Sequence, residues 1–258
     1  MSVNILAVGD VTGSSGLKFL SAKLKTLKML KNIAFTVVNG ENASGVGVTP
    51  SQCEDIFCAG ADVITLGNHT WGRREIEPYL DDCPYILRPA NYAPQVAGRG
   101  FGVFDAPFGS VLVMNLIGRC GMAFGPDNPF FAADRILKNA EPRVILVDMH
   151  AEATSEKAAM AYYLDGRVSA VWGTHTHVQT SDGRVLPGGA GFITDLGMTG
   201  PVDSVIGITP ELSVSTFLGN PPRRYVQAPG PAKLEGAIFE IDENTGRCLS
   251  VEAIRVTD

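Results

Sequence analysis

Residues 33–42 read IAFTVVNGEN, an apolar run of strand length that breaks abruptly into amides and a carboxylate. A short apolar run closed by polar residues is the mark of a buried strand. Upstream, residues 3–9 (VNILAVG) form a similar run that ends at Asp10. Between the two, Leu17, Leu20, Leu24, Leu27 and Leu30 recur at helical spacing, and Lys18, Lys25 and Lys28 fill the other face. That pattern predicts an amphipathic helix. A strand, a helix and a second strand in this order place the sequence in the α/β class.

The alternation continues outward. Thr49 and Pro50 read as an N-cap followed by proline at the first helical position, and Gly60 closes that helix before the strand ADVITLG (61–67). A helix is expected near residues 73–80, a strand pair over 101–118, a helix over 129–139 and the strand RVILVDMH over 143–150. Ser155 is placed to cap a helix, SEKAAMAYYL, that stops at Asp165-Gly166 before the strand VSAVWG (168–173). Residues 198–233 are rich in Pro and Gly, and their length suggests a functional excursion rather than a tight connection. Residues 235–256 predict two strands joined by the turn ENTG. No repeat or linker interrupts the pattern, so residues 1–258 are expected to form one domain with mixed sheets.

The 258 residues are 45% hydrophobic and 19% charged, with a formal net charge of -6. Such a chain can build a substantial core and is not disordered. The acidic balance argues against a general binder of nucleic acid or anionic membrane, so no stable nucleic-acid complex is expected. Cys53, Cys58, Cys83, Cys120 and Cys248 lack the C-x-x-C spacing of zinc or redox sites and read as reduced, mostly buried thiols. The N-terminal residues have no basic stretch before their apolar run, and no run approaches the roughly 18 apolar residues of a membrane span. A cytoplasmic protein without a membrane partner is expected. The low charged fraction points to an apolar interface and hence a homo-oligomer.

The four histidines, His69, His150, His175 and His177, all stand at the carboxyl ends of expected strands, as do Asp10, the group Asn39-Gly40-Glu41-Asn42, and Asn68. Open α/β sheets bind ligands at that edge. In GTHTHVQT (173–180) the two histidines stand two apart, a spacing that turns both imidazoles to one side of an extended chain. Alone, the pair reads equally well as two loop histidines on the surface. With carboxylates and amides at the neighbouring strand ends it predicts a metal site. Imidazole, carboxylate and amide together suit Mn, Fe or Zn rather than calcium.

The order GD, NGEN, GNHT, a lone histidine after a strand and GTHTH resembles the calcineurin-type metallophosphoesterases, and among them the YmdB-like branch. The likeness covers nearly the whole sequence. It implies an α/β fold of two packed mixed sheets flanked by helices in four layers, αββα. It further implies two divalent or mixed-valence transition-metal ions bridged by a carboxylate and a hydroxide, with Fe or Mn favoured and Zn or Mg possible. Carried over by position, Asp10, Glu41, Asn42 and His177 hold the first ion. Glu41, Asn68, His150 and His175 hold the second, and His69 is the general acid. Two positions depart from the broad superfamily: Thr12 stands where a histidine is usual, and Glu41 replaces the usual bridging aspartate. The implied activity is hydrolysis of a small phosphodiester, with 2′,3′-cyclic nucleotides leading. The rival readings are a broad phosphomonoesterase and a regulatory metal-binding protein with little turnover.

Other polar and aromatic residues keep two readings each. His69 could also make a structural hydrogen bond or serve as a third ligand. Asp148 either supports a ligand from behind or caps a turn, and Asp195 and Thr199 either orient ligands or shape a turn. Arg88, Arg223 and Arg224 either bind phosphate or lie on the surface, and Trp71 and Trp172 either stack on a base or pack in the core.

Overall fold

The computed structural model describes residues 1–122, 125–221 and 223–257. In chain order its elements begin with β1 (Ser2–Val8), β2 (Asp10–Val11), α1 (Gly13–Leu30), β3 (Ile33–Asn39), α2 (Pro50–Ala59), β4 (Val63–Thr65), α3 (Ile76–Asp82) and β5 (Ile86–Leu87). Next come β6 (Phe101–Ala106), β7 (Gly109–Ile117), α4 (Pro129–Leu137), β8 (Val144–His150), α5 (Thr154–Leu164) and β9 (Ala170–Thr174). Then follow β10 (Arg184–Val185), β11 (Gly191–Ile193), β12 (Met198–Pro201), α6 (Pro210–Phe217), β13 (Ala232–Asp242) and β14 (Cys248–Thr257).

Among the described residues the strands make two mixed sheets. One runs β2-β12-β13-β1-β3-β4-β5, with β14 also paired to β13, and the other runs β10-β11-β9-β8-β7-β6. Strands β1, β3, β4 and β5 are parallel to one another, while β13 joins β1 antiparallel. In the second sheet β7, β8, β9 and β11 are parallel.

The alternation of side chains along each strand builds three apolar layers. From β1, Leu6 and Val8 face Leu20 and Leu24 of α1 and Ile56 of α2, whereas Ile5 and Ala7 face the other sheet. Between the sheets Phe35, Val37, Val113, Leu146, Trp172 and Phe239 meet. Outside the second sheet Met114, Val147 and Met149 pack on Ala133 of α4 and Met160 of α5. The result is the expected αββα stack. Burying one such leucine or isoleucine fully is worth about 1.5–3 kcal/mol.

Several expectations are corrected at the ends of elements. Leu30 is exposed, because the α1 stripe that packs on the sheet stops at Leu27. Ser155 does not cap α5: the N-cap is Ala153, whose carbonyl accepts from Lys157 N, so Thr154 and Ser155 already lie in the helix. The third helix begins at Ile76 rather than near Arg73, since residues 70–75 form turns, with Arg73 donating to the Ser44 carbonyl. Helix α4 ends at Leu137 and is capped by Asn128. The stretch 198–233 contains β12 and α6. All five cysteines are unpaired, but Cys53 and Cys248 alone are buried; Cys58 and Cys120 are exposed and Cys83 is intermediate. No helix among the described residues is long and apolar enough to cross a membrane.

One feature of the inter-sheet layer positions the site. The inward faces of β3, β8 and β9 read Phe35-Val37-Asn39, Val144-Leu146-Asp148-His150 and Ala170-Trp172-Thr174. Each is apolar until its carboxyl end and polar there. At that end the sheets are joined by hydrogen bonds instead of hydrocarbon. Thr65 Oγ1 donates to Asp148 at 2.5 Å, and Asn115 Nδ2 donates to the carbonyls of Leu66 and Leu87 at 2.6 and 2.8 Å.

Candidate metal centre

Five strand ends bring their polar residues to one place above this polar layer. Glu41, fully buried after β3, lies at the middle: its Oε1 is 3.3 Å from His150 Nε2 and 3.5 Å from His69 Nδ1, and its Oε2 accepts from His69 N at 3.1 Å. His150 Nε2 is also 2.9 Å from Asn68 Oδ1 and 3.2 Å from His175 Nδ1. One carboxylate oxygen and one nitrogen each from His150 and His175 all fall within 4.8 Å of one another. On the other side of Glu41, His177 Nε2 lies 3.2 Å from Asn42 Nδ2 and 3.7 Å from Asp10 Oδ1. Asn42 Nδ2 donates to Glu41 Oε1 at 3.0 Å, while its Oδ1 pairs with His69 Nδ1 at 2.8 Å. A half-turn of that amide would present oxygen rather than nitrogen to Glu41 and His177.

His150 is aimed from behind. Its Nδ1 pairs with Thr174 Oγ1 at 2.9 Å, and Thr174 Oγ1 donates to Asp148 Oδ1 at 2.7 Å. This chain leaves Nε2 facing the cluster and fixes the ring, as buried partners of ligating histidines do. Asp148 therefore braces a histidine and does not cap a turn. Gly67 makes the approach feasible, because a Cβ there would overlap His150 Nε2 and Glu41 Oε2.

The two histidines of GTHTH do not share a face of an extended strand, which corrects the expectation. The chain turns after Thr174, and His175 and His177 take φ of 101° and 62°. Non-glycine residues rarely adopt such angles without outside support. The support is explicit: Asp10 Oδ2 accepts from His175 N at 3.2 Å, and the Ile206 carbonyl pairs with His177 Nδ1 at 3.1 Å. Asp195 Oδ2 accepts from Thr176 Oγ1 at 2.7 Å and from Lys157 Nζ at 2.7 Å. Asp195 also accepts from Gly197 N, so its two readings hold together.

The electrostatics favour a cation. Burial pushes the Glu41 carboxyl up, but His150 and His69 outweigh it and hold the group well below the ordinary glutamate value. Burial likewise opposes ionisation of Asp10, and neighbouring His177 outweighs it. Burial alone would lower His150; the fields of Glu41, Asp10 and Asp148 push it up to about 9 instead. His175, buried beside His150, falls to about 4. Burial pushes Asp148 up to about 6 against the hydrogen bonds from Thr65 and Thr174. Asp10 Oδ1 is buried and has no hydrogen-bond partner among the described residues. Two ionised carboxylates, one with an open oxygen, beside inward-facing imidazole nitrogens are a donor set that fits transition-metal ions.

Residues 6–254 match the family described as YmdB-like protein. The chain belongs to the YmdB-like family. It is 43% identical to the 2′,3′-cyclic-nucleotide 2′-phosphodiesterase of Bacillus subtilis, over 99% of this chain and 98% of that one. A Thermus thermophilus protein of solved structure, described as hypothetical, superposes with a TM-score of 0.93 at 36% identity, covering 99% of this chain and 100% of the other. A Mycoplasma pneumoniae structure described as a novel phosphatase gives 0.93 at 34% identity, covering 100% and 94%.

Within this YmdB-like fold, all eight residues expected at the site stand together: Asp10, Glu41, Asn42, Asn68, His69, His150, His175 and His177. Thr199 instead acts through its backbone, its carbonyl accepting from Thr12 N beside the β2–β12 pairing that includes Asp10. Arg88 is buried and donates to the carbonyls of Pro89, Val96 and Ala97. Arg223 and Arg224 are exposed and do not line the cleft of about 670 Å3 over the cluster. Trp172 is core, packed on Phe239. Thr174 and Glu152 were not anticipated, and Asn39, expected at this strand-end edge, had been given no role. Glu152 Oε2 lies 3.2 Å from His175 Nε2, and Asn39 Nδ2 reaches both Asp148 and Thr174. The inward register of β3 and β9 is the signal that marks Asn39 and Thr174.

Proposed function

We propose that this chain is a metal-dependent phosphodiesterase that opens 2′,3′-cyclic nucleotides at the 2′ oxygen and leaves a 3′-phosphate. The observation that carries the reading is the convergence of Asp10, Glu41, Asn42, Asn68, His150, His175 and His177 around one buried carboxylate, with the exposed edge of His69 at the rim. The named activity of the Bacillus subtilis relative supports the choice of substrate. Asp10, Glu41, Asn42 and His177 would hold a first ion, and Glu41, Asn68, His150 and His175 a second, with Glu41 bridging. The bound ions, Fe or Mn by the mixed oxygen and nitrogen donors, supply Lewis acidity toward the phosphoryl oxygens and make water acidic enough to be a nucleophile at neutral pH.

The chain's own groups do the rest. His69 is held by its backbone N–H on Glu41 and by Nδ1 against Asn42, so Nε2 is the nitrogen open to substrate. From there it delivers a proton to the departing 2′ oxygen. Thr174 and Asp148 keep His150 turned inward, and Lys157 and Asp195 hold the loop that carries His175 and His177. Residues 1–258 act as one domain, and the protein works in the cytoplasm as a homo-oligomer on small phosphoesters, without a stable nucleic-acid complex or a membrane partner.

The test is a panel of 2′,3′-cyclic nucleotides and phosphomonoesters offered to the Fe- or Mn-loaded protein, with products identified by chromatography. Release of nucleoside 3′-phosphates with little monoester turnover is expected. Preferred hydrolysis of monoesters would make it a phosphatase, and full metal occupancy without turnover of either class would make it a regulatory metal-binding protein.

A further inference from the structure

A second cavity, of about 650 Å3, opens beside the cleft over the acidic cluster, and His69 lines both. That volume lies in the range of small-molecule sites. A group that protonates a departing oxygen faces the leaving side of the substrate, so whatever the 2′ oxygen carries must extend toward His69 and past it. The walls beyond His69 are largely aromatic and apolar, with Asn91 and Asp127 as their polar members. Trp71 and Tyr92 meet edge to face with ring centroids 5.1 Å apart, and Pro94 and Val96 continue the surface.

The polar groups on residues of this wall include the carboxylate of exposed Asp127 and a hydroxyl that is buried and unpaired. Tyr92 is 9% exposed, yet its hydroxyl has no hydrogen-bond partner among the described residues. Neighbouring Asn91 offers it nothing: its Nδ2 donates to the carbonyls of Ile117 and Asp127, and its Oδ1 accepts from Ile117 N. Buried hydroxyls are almost always paired, so an unpaired one on a residue that lines a cavity points to a partner that arrives with a ligand.

We propose that this second cavity is the nucleobase subsite, in which the base stacks on Trp71 and accepts a hydrogen bond from the Tyr92 hydroxyl. The proposal rests on the cyclic-nucleotide reading above. Stacking uses the π-face that every base has, and every natural base carries an edge acceptor for one donor. The subsite therefore admits all four bases and favours nucleotides over phosphodiesters that lack a base.

The chain has two tryptophans, and Trp172 is 1% exposed in the inter-sheet core. Ligand-induced change in tryptophan fluorescence thus reads Trp71. Titrating the metal-loaded protein with guanosine 3′-monophosphate should quench it, and ribose 3-phosphate should not. In turnover, Trp71→Leu should narrow the preference for cyclic guanosine 2′,3′-phosphate over the base-free methyl ribofuranoside 2,3-cyclic phosphate by roughly 5- to 150-fold, mainly through KM. Tyr92→Phe should narrow it by roughly 2- to 10-fold, and Trp71→Phe should restore most of what Trp71→Leu removes. Equal quenching with and without a base would overturn the proposal. So would a preference that survives Trp71→Leu but collapses in Tyr225→Ala, since Tyr225 is 69% exposed and lines the other cleft. Base-dependent quenching without turnover would keep the subsite and remove the assigned reaction, so the two failures are separable.

Discussion

Glu41 is fully buried and touches His69, His150 and Asn42 at once, so its replacement tests the cluster more sharply than any other single change. Glu41→Gln keeps the shape and removes the charge between the two proposed ion positions. Changes to groups behind metal ligands cost about 10–100-fold in affinity, so a bridging carboxylate should cost more than about 100-fold at both positions. Metal content per chain after dialysis reads this, and loss of one ion with full retention of the other would deny the bridge. His69→Ala should behave oppositely: both ions stay, and turnover falls by about 10²–10⁴-fold. Loss of metal in that variant would make His69 a ligand instead. Residues of this kind were legible in the sequence because four histidines, scarce and all at strand ends, announce themselves. The roles of Thr174 and Asn39 were not, because a threonine or asparagine gains its meaning from which face of the strand it occupies.

At the scale of the element, the loop that carries His175 and His177 depends on a buried ion pair one layer away. Lys157 of α5 and Asp195 are both fully buried and 2.7 Å apart, and Asp195 in turn holds Thr176. Lys157→Met leaves Asp195 charged and without its cation, which costs about 3–5 kcal/mol when such a pair is broken. Urea unfolding measures this, and a loss under about 1 kcal/mol would show the pair to be idle. A second tie, Asp182, accepts from Thr180 Oγ1, Thr194 Oγ1 and Thr194 N and so fastens the approach to β10 onto the end of β11. Burial raises its carboxyl, but those hydrogen bonds outweigh burial and hold it below the ordinary aspartate value. Its stabilisation is therefore complete at neutral pH, declines below about 3.9, and is gone once the pH falls through the lower folded value. Asp182→Asn should be less stable than the parent at pH 7 and equal to it near pH 2, by urea midpoints; a difference that grew in acid would reverse the assignment. The left-handed backbone at His175 and His177 could not be read from the sequence, since nothing local favours it and its supports come from Asp10, Asp195 and Ile206.

For the whole molecule, the layered α/β architecture was legible because strand and helix periods are long and regular. The excursion over 198–233 was not, since its strand β12 is held by β2 and β13 from far along the chain. The ions proposed for the site would join five strand ends drawn from both sheets, so their removal should be felt as global stability. An ion that binds only the folded state at 1,000 times its dissociation constant adds about 4 kcal/mol. For a domain of this size that is roughly 8–16 °C in Tm. Calorimetry of loaded and chelated protein should show a fall of that order, and identical Tm values would count against a metal centre that spans the sheets.

The pairing of β1 with β13 has a consequence for biosynthesis. Ser2 lies opposite Asp242 and Val8 opposite Gly236, so the strand that leads to Asp10 lacks its neighbour until the ribosome has made nearly everything between. Translation adds about 5–20 residues per second, which leaves the edge of β1 bare for roughly ten seconds or more. A nascent chain in that interval is a template for a neighbour on the same polysome, and the cavity for the ions cannot close before it ends. Metal loading therefore belongs after synthesis, and chaperone holding of the nascent chain would raise the yield of active protein more than an early supply of metal.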